Sequence, residues 1–208
     1  ANQNLGLAMA NSFRNAILMT LITLLVCSIA GYGFEIYHDK AKDTVMSILM
    51  LAMMVPFVAV LVPLFQMFTK AKLLNSWTGF ILPSIATPFL IMYFRNSARS
   101  FPRVTLEAAR IDGANSYQQL MRITIPLLRP IILVTAIMST NGTLQLFDES
   151  VNLTLGGPGN MTITMSHYIY NTMFTKNPNF GYAAAMSFVI LVMVAVLAAI
   201  QMKVGDKR

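Results

Sequence analysis

Three groups of polar residues stand out in an otherwise greasy chain. Asn141, Gln145 and Asp148 recur three or four residues apart, the spacing that puts side chains on one face of a helix. They fall in or beside an apolar run from Ile131 to Phe147. An aspartate at mid-membrane costs about 2.5–3.5 kcal/mol, so polar groups in a span face a cavity or a partner. Amides and carboxylates bind hydroxyl-rich ligands well, and Phe147 offers a ring to stack on one. The alternative is a face that hydrogen-bonds neighbouring helices, with Asp148 and Glu149 marking the headgroups. The second group is Glu107, Ala108, Ala109, Asp112 and Gly113, in an arginine-rich stretch. The third, Leu155-Gly156-Gly157-Pro158-Gly159, has the composition of a turn.

Other chemistries leave no trace in the sequence. There is no GxxxxGK[ST] phosphate loop, so the chain has no such means of holding ATP. His38 and His167 are solitary, and a solitary histidine is more often structural than a ligand. No serine stands in a recognisable nucleophile motif. The 16 methionines suit plastic packing rather than metal binding. Cys27, the only cysteine, lies inside an apolar run and can form no internal disulfide. No catalysis is expected, and no metal site.

The elements that position these groups follow from composition. The 208 residues are 56% hydrophobic and only 11% charged, against about 25% charged in soluble domains. Such an excess makes lipid the solvent. Five segments approach the roughly 20 residues that a helix needs to cross a bilayer: Ala16–Phe34, Val45–Phe68, Thr78–Phe94, Ile131–Phe147 and Gly181–Met202. The third carries Pro83 and Pro88. Apolar–polar alternation is missing, which excludes a barrel. The expected fold is all-α, a polytopic helical membrane protein forming one transmembrane domain over residues 1–208.

The net charge of +7 reflects loop bias rather than nucleic-acid binding. Eleven lysines and arginines fall in residues 35–44, 95–129 and 203–208, against four on the other side. That places the 95–129 loop and the C-terminus in the cytoplasm. The N-terminus would then face outside without a signal sequence, so a preceding span is expected to be missing: five spans of an expected six.

Within the 95–129 loop, Ser100-Phe101-Pro102 reads as a helix start and Gly113 as its left-handed stop. Ser116 to Gln119 reads as a capping box opening a second helix, which Pro126 and Pro130 break before the fourth span. The loop is thus a helix–turn–helix.

Glu107-Ala108-Ala109, three residues, Gly113, nine residues, Ile123, one residue and Ile125-Pro126 resemble the EAA loop of binding-protein-dependent ABC importer permeases. Ile125 stands where that family has leucine. Leu74-Asn75-Ser76, Leu82-Pro83 and Asp112-Gly113-Ala114 look like its carbohydrate-uptake, maltose-transporter-like branch. The resemblance implies a bacterial inner-membrane subunit of a sugar importer. Its partners would be a second permease, an ATPase subunit that binds ATP and Mg, and an extracytoplasmic sugar-binding protein. It also implies that Glu107, Ala108, Ala109, Asp112 and Gly113 couple to the ATPase. Gly156, Gly157 and Pro158 resemble a GGGP-like stretch that touches the binding protein in some importers, with Leu155 replacing the first glycine. An ion-driven transporter is the first rival, but it needs repeats and a midplane ion site that are not evident. A non-transporting scaffold is the second, and it needs no EAA loop.

Overall fold

The computed structural model describes residues 5–36, 39–100, 103–175 and 177–205, all in helices, turns and irregular segments. His38, Lys176, the expected helix start at Phe101-Pro102 and the last three residues lie outside them.

Helix α1, Leu5–Ile36, is the axis of the bundle. Its buried stripe is made of small and polar residues: Ala8, Asn11, Ser12, Asn15, Ala16, Thr20, Thr23, Cys27 and Gly31 recur along it. In lipid, helices gain little from burying leucine, so small residues that permit close approach hold them together. The opposite face exposes Leu21, Leu25 and Ile29. Against the stripe pack α5, Pro88–Arg99, and α8, Ile125–Leu144. Thr20 and Thr140 meet through their hydroxyls at 3.3 Å, and Thr23 donates to the Ser84 carbonyl. A core of Cys27, Met46, Leu90, Ile91, Phe94 and Leu128 fills the contact. At that end Arg95 reaches Asp43 at 2.9 Å and Glu35 at 3.7 Å, tying α5 to α1 and to the helix that follows it.

Among the described residues, three helices are long and apolar enough to cross a membrane unbroken: Leu5–Ile36, Ser116–Leu144 and Phe180–Gly205. Two bent pairs bring the total to the expected five. The second expected span is not a straight rod. It is α2, Lys40–Ala52, and α3, Phe57–Lys70, bent by 111°. Pro56 removes a backbone donor and drives the residue before it towards extended backbone, so the apolar run cannot stay helical there. The third is α4, Trp77–Ile81, a 3-10 turn, Leu82–Ser84, and α5, bent by 44° near the two prolines.

The fourth span departs from expectation in the other direction. After α6, Arg103–Ile111, and α7, Ser116–Gln119, the chain passes through a π turn, Leu120–Thr124, straight into α8. Pro126 sits in the first turn of α8, where its missing donor is harmless, and the wider π turn precedes it. Pro130 lies inside α8 without ending it. Neither proline breaks the helix, which runs unbroken from Ser116 to Leu144. The capping box also sits one residue earlier than expected. Asn115 accepts from the Gln118 amide at 2.8 Å, and the Gln118 side chain accepts from the Asn115 amide at 2.9 Å. After α8, a second π turn, Glu149–Leu153, leads to α9, Met165–Phe174, and α10, Phe180–Gly205.

Gly31 and Gly33 provide a controlled test of the axis. A Cβ on Gly31 would lie 2.6 Å from the Phe94 Cβ and 2.8 Å from the α5 backbone, whereas one on Gly33 would meet nothing within 4 Å. Gly31→Ala is expected to destabilise the purified protein by about 1–3 kcal/mol, the usual cost of overpacking. Gly33→Ala, which replaces a helix-interior glycine in open space, is expected to keep or raise the thermal midpoint, by up to about 1 kcal/mol of stability, and equal effects of the two changes would contradict the packing.

Candidate functional site

At one end of the bundle, α6 displays an unpartnered face. Val104 and Ile111 are 75% and 86% exposed, and Glu107 and Ala108 lie between them on the same side, also exposed. Ala109 is half-buried, and Asp112 is exposed at the helix end. Gly113 has φ +84°, the left-handed conformation expected of it, and open space around its Cβ position.

The other end of α8 gathers the second group, with one change. The helix stops at Leu144, and Gln145 is its C-cap. Asn141 and Gln145 therefore keep their helical relation, while Phe147 and Asp148 lie past the end, in a turn. The three polar residues do not form one continuous helical face. Gln145 and Phe147 line a cavity of about 480 Å³ with Ser166, Ile169 and Ser187. Phe147 meets Tyr170 edge-on at 5.2 Å, and Tyr170 meets Phe174 at 5.2 Å, an aromatic ladder along α9. Asn141 and Asp148 are not among the cavity walls.

Across α8 lies a second cavity, of about 350 Å³. Ser139, Gly142 and Thr143 of α8, Ser84, Thr87 and Phe89 of the bent third span, and Phe57 of α3 form its walls with Glu149. Glu149 is 7% exposed and accepts from the Ser84 hydroxyl at 3.0 Å. Burial pushes its carboxyl upward from the ordinary value, and the neighbouring Asp148 adds to this, against the Ser84 bond. One of the two readings of the sequence put Glu149 at the headgroups, and neither gave it a buried partner. Its burial depends on the 3-10 turn at Leu82–Ser84 meeting the turn after α8, a contact no local spacing signals.

The glycine-rich loop is held by a buried polar network. The Ser150 hydroxyl donates to the Thr162 carbonyl at 2.6 Å. Its single proton is thereby used, so the 2.8 Å contact with His167 is a bond donated by Nδ1–H. Thr162 donates to the Gly157 carbonyl and so accepts from Thr154 at 2.7 Å. From the other side, Asn11 of α1 donates to the Asn160 carbonyl, and the Ser12 hydroxyl accepts from the Met165 amide. Ser150 has no exposure, so the Ser150–His167 pair holds structure and is no nucleophile. Gly156 has φ +84°. A Cβ on Gly157 would lie 1.9 Å from the Asn75 Oδ1, which explains that glycine. Leu155 has φ +51° and is 81% exposed, so a leucine here holds the left-handed conformation that favours glycine.

Taken together these features define a polytopic helical membrane protein with two cavities towards one end of α8 and a short exposed helix beyond the other. The chain belongs to the binding-protein-dependent transport system inner membrane component family, whose profile matches residues 24–207. It is 40% identical over 129 residues to the lactose transport system permease protein LacG of Rhizobium radiobacter, covering 62% of this chain and 47% of that one. LacF of the same organism is 44% identical over 134 residues, covering 64% and 42%. The arabinooligosaccharides permease protein AraQ of Bacillus subtilis is 35% identical over 120 residues, covering 58% and 43%. The matched part of the chain thus spans about half the length of these curated relatives. A bacterial ABC transporter that imports the acidic polysaccharide alginate shares the fold, with a TM-score of 0.76 at 22% identity, covering 99% of this chain and 76% of that one. The inward-facing MetNI methionine transporter does so at 0.66 and 17%, covering 96% and 92%.

The network predicts a pH response. Burial lowers the His167 pKa, so the unfolded chain takes up a proton before the folded one does. Stability from neutral His167 is fully present above about pH 6.5 and is lost as pH falls below it. The thermal midpoint of the purified protein is expected to drop on acidification, and less steeply in His167→Gln. Leu155→Gly is expected to stabilise by about 1 kcal/mol, since a left-handed backbone costs a branched residue that much. A lower midpoint in Leu155→Gly would contradict the assigned backbone.

Proposed function

We propose that this chain is the permease subunit of an ATP-driven importer of sugars, working with a second permease, an extracytoplasmic sugar-binding protein and an ATPase that holds ATP and Mg. The single observation that carries the coupling half is the bare face of α6. A helix that leaves Val104 and Ile111 in water beside Glu107 and Ala108 is built to be covered. Lipid headgroups would not require Gly113 to turn the chain there or small residues at the contact, whereas a protein groove does. Glu107, Ala108, Ala109, Asp112 and Gly113 form that contact on this reading. The side that bears α6 is the cytoplasm, as the lysine and arginine bias requires, and the C-terminus lies with it.

The sugar half rests on the names of the relatives and on the far end of α8. There Gln145 and Phe147 line one cavity, with Asn141 one helical turn before Gln145 and Asp148 next to Phe147, and aromatic rings beside amide and hydroxyl groups suit a carbohydrate. Of the glycine-rich loop, Pro158 is exposed and would meet the binding protein, while Gly157 is half-buried and Gly156 is buried beneath it against Ile163 and His167. The apolar faces of α1 and α10 meet lipid or the second permease.

Co-expression with the ATPase and second permease tests both halves. Gly113→Val and Glu107→Lys are expected to abolish uptake by at least tenfold while the protein still reaches the membrane, because each damages a contact rather than the span. Normal uptake in both would overturn the coupling role. Asn141→Leu with Gln145→Leu is expected to impair uptake or shift sugar preference with the yield of assembled complex unchanged. Reduced yield in proportion to uptake would instead mean that these amides hold helices together.

A further inference from the structure

Glu149 has a property that the importer reading does not use. Its carboxylate is the only charged group among the residues lining the 350 Å³ cavity, and the polar walls around it are uncharged: Ser84, Thr87, Ser139 and Thr143. Phe57 and Phe89 supply the aromatic walls. The Ser84 bond at 3.0 Å uses Oε1 and fixes the carboxyl against the third span. When ionised, which burial makes harder and mildly alkaline pH favours, Glu149 acts strongly on a charged ligand, because little water lies between them to screen it. Hydroxyls can donate to a carboxylate, whereas a second carboxylate there would be a like charge at close range.

We propose that Glu149 makes this cavity an anion-rejecting filter, so that the transporter passes neutral, hydroxyl-rich sugars and refuses those that carry a carboxylate. The proposal rests on the sugar-permease reading for the ligand class, and on the cavity geometry alone for the sign of its selectivity. A purely structural role for Glu149, bridging the turn after α8 to Ser84, is the alternative. Glu149→Gln separates the two, since a glutamine Oε1 still accepts from Ser84 while the charge is gone.

The assembled transporter in membrane vesicles, with Cys27→Ser and Ser139→Cys in this chain, carries one thiol of this chain in the cavity wall. Its modification rates by a cationic and an anionic methanethiosulfonate of similar size are compared at mildly alkaline pH, each normalised to a free thiol. The cationic reagent is expected to react about tenfold faster, and Glu149→Gln should bring the two rates near parity. Glu149→Asp should keep the preference, and so should Ser84→Ala, which removes the bridge but not the charge. Parity in the parent protein, or an undiminished preference in Glu149→Gln, overturns the filter. The parent measurement decides even if Glu149→Gln fails to accumulate. Lactose should slow both reagents, whereas glucuronate should slow them only in Glu149→Gln. If the charge preference behaves as expected but lactose gives no protection, the filter stands and the sugar path through this cavity falls.

Discussion

The close contact between α1 and α5 is the constraint on which the bundle depends. Within a bilayer, burying apolar surface gives helices no preference for one another over lipid, so association rests on close packing and hydrogen bonds between them. The α1 stripe meets both needs. Gly31 lets the backbones approach so nearly that a methyl group has no room. Thr20 and Thr23 supply bonds to α8 and to the bent third span. Further along, Asn11 and Ser12 clamp the segment before α9. One helix face therefore positions the walls of the Glu149 cavity and the base of the glycine-rich loop together. That is why a polar stripe, which looks expensive in a membrane, belongs at the centre of this fold.

The same economy governs the irregular backbone. Non-helical segments at the membrane are tolerated where protein covers their polar groups. The loop from Thr154 to Thr164 satisfies this through a chain of hydroxyls, each passing its proton to the next acceptor and ending on the Gly157 carbonyl. Such a chain orders a glycine-rich stretch that would otherwise be free to wander. The cost of holding Leu155 in a left-handed conformation is borne by this ordered surround.

Much of this was legible in the sequence, and most of the failures share a cause. Apolar runs located all five spans, because the solvent enforces that signal over many residues. Gly113 announced its own backbone conformation, since few other residues adopt it cheaply. The errors arose where one residue's backbone chemistry competes with its surroundings. Pro56 breaks an apolar run that hydropathy reads as continuous. Pro126 and Pro130 look like breakers, yet a first-turn position and a π turn absorb one and the helix interior tolerates the other. The burial of Glu149 was not legible for a different reason. Its burial is a tertiary fact, set by Ser84 at a distance of 65 residues along the chain.

The uninterrupted helix from Ser116 to Leu144 gives these corrections a functional meaning. Had the prolines broken it, the loop that bears α6 and the cavities beyond Leu144 would be joined by hinges, and displacement at one end would dissipate. Its 29 residues instead span about 43 Å at 1.5 Å per residue, the thickness of a bilayer with its headgroups. A π turn adjoins the start of α8 and another follows its far end, at Leu120–Thr124 and Glu149–Leu153. Such turns are local departures from regular geometry that recur at functional sites. A stiff member with irregular turns at each end tilts or rotates as a body rather than bending in the middle. On the proposed reading, motion imposed on α6 by a partner is delivered to the turn that carries Glu149, and the Ser84 contact passes it on to the bent third span.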